Sequence, residues 1–164
     1  MRHADLDEHV SPATGAASGS PAPGGASFVL LRAGPLRLLL PREDVGAAEY
    51  IDHAPSATAE PGVFECDGDG ASRLVAALSA AMRPLEQFPA GRFILTPLQV
   101  DDSDLRFAWD EVRVLIDARL EAQPLPPALR APGAPIESYV VHEGEILLCT
   151  TARRLLAHAA GAGE

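Results

Sequence analysis

Few side chains in this 164-residue chain stand at spacings that chemistry would use. His142-Glu143-Gly144-Glu145 brings three possible metal ligands together. A tight hairpin turn calls for the same acid–glycine pair, and it accounts for these residues without a metal. Cys66 and Cys149 lack the C-x-x-C spacing of a zinc or redox motif. A Cys in such a setting ordinarily packs as a small apolar residue. Asp67-Gly68-Asp69-Gly70 lacks the register of a calcium loop and reads as a turn. Asp101, Asp102 and Asp104 read as a solvated hairpin tip. There is no G-x-S-x-G, and Ser72 and Ser79 have no His or Asp beside them. His53 and His142 read as surface or turn histidines, and Trp109 as a core residue. Gly19, Gly24 and Gly25 sit in the tail, without the setting and basic residue that a phosphate loop needs. No catalytic residue, cofactor or metal is therefore assigned, and surfaces are left as the carriers of function.

The composition narrows the class of surface. Net charge is −10, Lys and Asn are absent, and all 13 basic residues are Arg. Ala appears 29 times, a bias that a GC-rich bacterial genome would produce. The acid excess argues against a nucleic-acid binder, which needs a dense basic face. It argues equally against docking on an anionic membrane. The apolar runs (Phe28 to Leu31, Leu38 to Leu40, Ile146 to Cys149) fall far below the ~20 residues of a spanning helix. No basic-then-apolar secretory pattern opens the chain. A soluble, cytoplasmic protein in a reducing compartment is expected, with partners that carry basic faces.

The positioning elements are short. From Ser11 to Ser27 every residue except Thr14 is Ala, Gly, Ser or Pro. Such a segment has too little apolar side chain to offset the ordering entropy of about 1–2 kcal/mol per residue. Residues 1–26 are thus expected to be a disordered tail, 27–158 one folded unit, and 159–164 a flexible end. Hairpins are predicted across Gly34-Pro35, across Asp67-Gly68-Asp69-Gly70, between Ile94–Leu98 and Leu105–Trp109, and across Glu143-Gly144. Arg73 to Leu78 reads as a strand continuing into a helical turn at Ser79 to Met82, and Ala152 to His158 as a terminal helix. Leu105, Phe107 and Trp109 place the apolar face on odd positions, whereas Val112, Val114 and Ile116 place it on even ones. Side chains alternate strictly along a strand, so this change of parity requires a bend near Asp110-Glu111.

Four segments in this order resemble the CheW-like domain, the adaptor module of bacterial chemotaxis signalling. They are SFVLLRAGPLRLLLPREDVGAAEYI with its Pro41 and Val45, APSATAEPGVFECDG, Trp109-Asp110-Glu111-Val112, and LPPAL with PIESYVVHEGEILLCTTARRLL. Gly62, Val63 and Gly68 fall where the family has its glycines and Val. Glu65, Cys66 and Asp67 replace its Asn, Leu and Arg, and Thr150 or Thr151 stands where it usually has Asp before the last helix.

The resemblance implies a mostly β fold: two small five-stranded SH3-like barrels packed together, with a short C-terminal helix. The first barrel would use residues 27–50 and part of 105–158, the second mainly the segment between. It also implies a non-catalytic scaffold or adaptor. Such a protein would couple a CheA-type histidine kinase to chemoreceptors in a chemosensory or twitching-motility system. Glu65, Asp67 and Gly68 are the partner-binding residues expected on that basis, and the charge reversal at Asp67 puts the ordinary receptor contact in question. Two alternatives stand beside it. One is a diverged interaction module outside chemotaxis, and the other is an unrecognised small hydrolase or metal-binding protein.

Overall fold

In the computed structural model, residues 25–68, 70–100 and 103–161 are described. The expected disordered tail up to residue 24, Asp69 of the expected Asp67–Gly70 turn, Asp101 and Asp102 of the expected solvated hairpin tip, and residues 162–164 lie outside them.

The chain opens with the hairpin β1 (Ala26–Ala33) and β2 (Leu36–Pro41), in which Ala33 faces Leu36 across Gly34-Pro35. Gly34 sits at φ 59°, a left-handed conformation that costs glycine nothing. The chain then leaves this sheet to build a second one. That sheet comprises β3 (Glu49–Tyr50), β4 (Ser56–Ala57), β5 (Phe64–Gly68), β6 (Ala71–Ala77), β7 (Ile94–Pro97) and β8 (Arg106–Trp109). It returns through β9 (Glu111–Ala118), β10 (Gln123–Pro124), β11 (Ser138–His142) and β12 (Glu145–Cys149), and ends in helix α1 (Ala152–Ala160). Glu143 and Gly144 both have positive φ (51° and 80°), as a two-residue hairpin turn of the mirror type requires.

The strand orders are β10-β11-β12-β2-β1-β9 and β3-β7-β8-β6-β5-β4. Both sheets follow one wiring. Two antiparallel hairpins meet at a parallel central contact, β12 on β2 in one and β8 on β6 in the other. Each sheet has six strands where five were expected. Two-residue strands fill out both counts: β10 is the sixth strand of the first sheet, and β3 and β4 flank the four longer strands of the second, and runs so short leave little trace in side-chain alternation. Glu49 and Tyr50 belong to the second sheet, not to the first as the sequence division had it.

Three apolar clusters follow from this arrangement. Leu30, Leu39, Val140 and Leu147 form the core of the first sheet, with Leu115 packed against them. Leu115 on β9 and Val140 on β11 come from opposite ends of the strand order, so the sheet curls around its own interior. Phe64, Cys66, Val75, Ala77, Leu95 and Ala108 do the same for the second sheet. The largest cluster lies between the two and under α1, and includes Leu31, Leu38, Phe107, Trp109 and Leu155. Trp109 is fully buried there and donates its indole N–H to Thr96 Oγ1 at 2.8 Å.

The change of parity is a change of sheet. β8 ends at Trp109 in the second sheet, Asp110 turns the chain, and β9 starts at Glu111 in the first. Asp110 locks this corner. Its backbone N–H donates to Arg32 O at 2.8 Å, while its carboxylate accepts from Gly34 N–H and lies 3.5 Å from buried Arg92. Arg92 in turn donates to Leu78 O at 2.7 Å. The expectation that Val112, Val114 and Ile116 all face the core needs correcting. Val112 packs into the central cluster, but Val114 is 46% and Ile116 74% exposed. All three share a face, and the shared core stops covering it beyond Val112. Ser79 to Met82 is likewise a tight turn and not a helical one. Met82 N–H bonds Ser79 O at 2.9 Å, and Met82 itself has φ 58°.

Candidate partner-binding surface

Strand β5 alternates cleanly. Phe64 and Cys66 are buried in the second core, while Glu65 and Asp67 are exposed. Gly68 pairs with Ala71 and Asp67 with Ser72, so both residues belong to the end of the strand. The structure therefore divides the three residues singled out by the sequence. Glu65 and Asp67 project from the outer face of the sheet. Gly68, two residues beyond Cys66, lies on the inner side.

Each side has its own electrostatics. On the outside, Ser72 donates its hydroxyl to Glu65, which holds that carboxylate against the sheet. Leu74, directly opposite Glu65, is 45% exposed beside it. On the inside, Arg73 lies opposite Cys66, and its guanidinium passes over Gly68. A Cβ at Gly68 would stand 2.8 Å from the Arg73 Cζ, so glycine makes room for the arginine. Arg73 and Arg106 both pair with Glu49, forming a cation–anion–cation cluster at the end of the second core. Sequence inspection missed this cluster, because its members sit on three strands far apart in the chain. Burial pushes the Cys66 thiol above its ordinary range, although Arg73 pulls the other way. A thiol so placed is a packing residue and a poor nucleophile.

A groove of about 770 Å³ opens below Leu74 on the same outer face, between the second sheet and the end of α1. Its floor includes Ala76, Leu105, Phe107 and Leu156, and Glu60 and Glu86 stand on its walls. The helix that forms one side is held at both ends. Thr151 accepts from Arg154 N–H as the N-cap, and Asp44, which follows β2, accepts from Ala152 N–H at 2.8 Å. A carboxylate thus does serve this helix start, supplied from 108 positions away in place of a local Asp. Thr150 is instead buried and donates to Pro135 O at 2.6 Å. At the far end a His158 ring nitrogen lies 3.3 Å from Ala81 O.

The residues weighed for metal chemistry do not converge. Among the described residues, no group of three or more His, Cys, Asp or Glu side chains is placed to hold an ion. His142 and Glu143 stand 3.9 Å apart at their hairpin, and Glu143 pairs with Arg113 while Glu145 pairs with Arg37. Among the described residues no helix is long and apolar enough to cross a membrane.

No family model and no curated protein matches the chain. Among solved structures it is similar to the scaffolding protein TtCheW from Thermoanaerobacter tengcongensis, with a TM-score of 0.58. The match covers 77% of this chain and 89% of that one at 13% sequence identity. The likeness shows the fold: two coiled β sheets packed through a shared core, in the CheW-like arrangement.

Proposed function

We propose that the protein is a non-catalytic scaffold that couples a CheA-type histidine kinase to chemoreceptors, in the bacterial cytoplasm, within a chemosensory array or twitching-motility system. The observation that carries this reading is the paired-sheet fold shared with a CheW scaffolding protein, reached by a sequence with four CheW-like segments in the same order. Exposed sheet edges and grooves suit protein partners. A standard interface of about 800 Å² per partner is within the reach of a domain this size. Titrating the protein against the CheW-like regulatory domain of the cognate kinase tests the reading. Saturable binding supports it, and no binding at concentrations of about 100 μM, where even weak specific pairs associate, sinks it.

Within that role, Glu65 and Asp67 are assigned to partner contact, since both are exposed on one face beside Leu74. Gly68 is given the supporting part of admitting Arg73 beneath them. Asp67→Arg should alter receptor-fragment affinity and leave the circular dichroism spectrum unchanged. Unaltered affinity would remove this face from the interface. A second reading, an interaction module outside chemotaxis, draws on Glu65, Cys66 and Asp67 standing in place of Asn, Leu and Arg. Kinase and receptor genes beside this one favour the adaptor, and their absence favours the second reading.

A further inference from the structure

We infer that the cleft between the segment leaving β9 and the β11–β12 hairpin binds a free α-amino acid with an apolar side chain. The inference does not depend on coupling between kinase and receptor. It starts from a ladder that stops short. β10 and β11 pair Pro124 with Ser138 and Gln123 with Tyr139. Continued in that register, Glu121 would stand opposite Val141 and Arg119 opposite Glu143. The chain does otherwise. Asp117 takes a left-handed φ of 51° at the end of β9, where the register against β1 also shifts. Among the described residues no backbone hydrogen bond joins residues 119–122 to β11. The two segments part and leave a cleft of about 360 Å³ between them.

The lining is complementary to a zwitterion. Arg119, Glu121 and Glu143 line the cleft together with Leu120 and Val141. Glu143 already faces Arg113, at 3.1 Å. Arg119 and Glu121 have no ion pair or side-chain hydrogen bond among the described residues, so a cation and an anion two positions apart are both open to a ligand. A guanidinium holds a carboxylate through two parallel N–H donors, which fixes its orientation. A carboxylate such as Glu121 accepts from an ammonium group. A plain anion would be repelled by Glu121 and a plain amine by Arg119, whereas a zwitterion satisfies both. Val141 is 60% exposed, an apolar surface that a short aliphatic side chain would cover. The edge of β11 beyond Tyr139 adds backbone donors and acceptors. The cleft lies at the small end of ligand cavities, roughly 300–1,000 Å³, and suits a molecule of amino-acid size.

The test titrates the full chain with three probes and follows the amide NMR shifts. They are L-leucine, leucinamide, which lacks the carboxylate, and N-acetyl-leucine, which lacks the ammonium group. Leucine should bind with a Kd of about 1 mM or tighter and shift the amides of residues 119–121 and 141–143. Each analogue should bind at least about tenfold more weakly, because it leaves one charge of the cleft unpaired. Arg119→Gln should weaken leucine by about tenfold and leave leucinamide unchanged. Glu121→Gln should weaken leucine similarly and leave N-acetyl-leucine unchanged. Both side chains are exposed, so the circular dichroism spectra of the variants should match wild type. Weaker binding of leucine than this, shifts confined to other residues, equal binding of the analogues, or indifference to both variants would overturn the inference.

Discussion

Asp44 and Asp110 show how single carboxylates on turns hold distant elements. Asp44 receives the N–H of Ala152 and so ties the start of α1 to the first hairpin. Removing one partner of a charge-assisted hydrogen bond at a helix start costs about 1–2 kcal/mol. Asp44→Ala should lower stability by that amount in urea unfolding, with an unchanged denaturant slope. In that background Thr151→Asp should recover part of the loss, because an acid at the N-cap supplies a similar acceptor. No loss in Asp44→Ala would show that the helix start is satisfied otherwise. Cys66 gives a pH prediction. Burial raises its folded pKa above the ordinary 9.0, so the unfolded chain releases the thiol proton first. Its contribution is complete below pH 9 and is lost as pH rises through the folded value. Stability in wild type should therefore fall more steeply above pH 9 than in Cys66→Ala; parallel curves would contradict the assignment.

At the scale of elements, the passage from β8 to β9 is the most instructive. Both sides of this stretch are apolar because it passes between cores. Phe107 and Trp109 enter the shared core while Ala108 enters the second sheet's own. Alternation in the sequence located the bend at Asp110, but not the end of the covering layer at Val112. That depends on how far the second sheet reaches, a property of segments distant in sequence. The two-residue strands were illegible for the same reason, since a partner and not a local pattern makes them strands. Ile116→Thr should accordingly change stability by less than about 0.5 kcal/mol, as exposed substitutions do. Leu31→Ala, fully buried in the shared core, should cost about 2–5 kcal/mol. A large loss in Ile116→Thr would mean that this face is covered.

In the whole molecule, two sheets of one wiring pack through their outer faces and share α1. The order of hairpins around Gly34, Gly70 and Gly144 was legible because two-residue turns demand particular residues. The candidate surface was half legible. Asp67 and Glu65 stand out as acids in a segment where a CheW-like chain carries Asn and Arg. The inward turn of Gly68, the Glu49 cluster beneath it and the acidic groove all arise from strands brought together only by folding. The central claim is coupling, and co-sedimentation with receptor-bearing vesicles tests it most directly. The cognate kinase should pellet with the receptor when this protein is present and remain in the supernatant when it is omitted. A kinase that pellets equally in both cases, or in neither, would contradict the account.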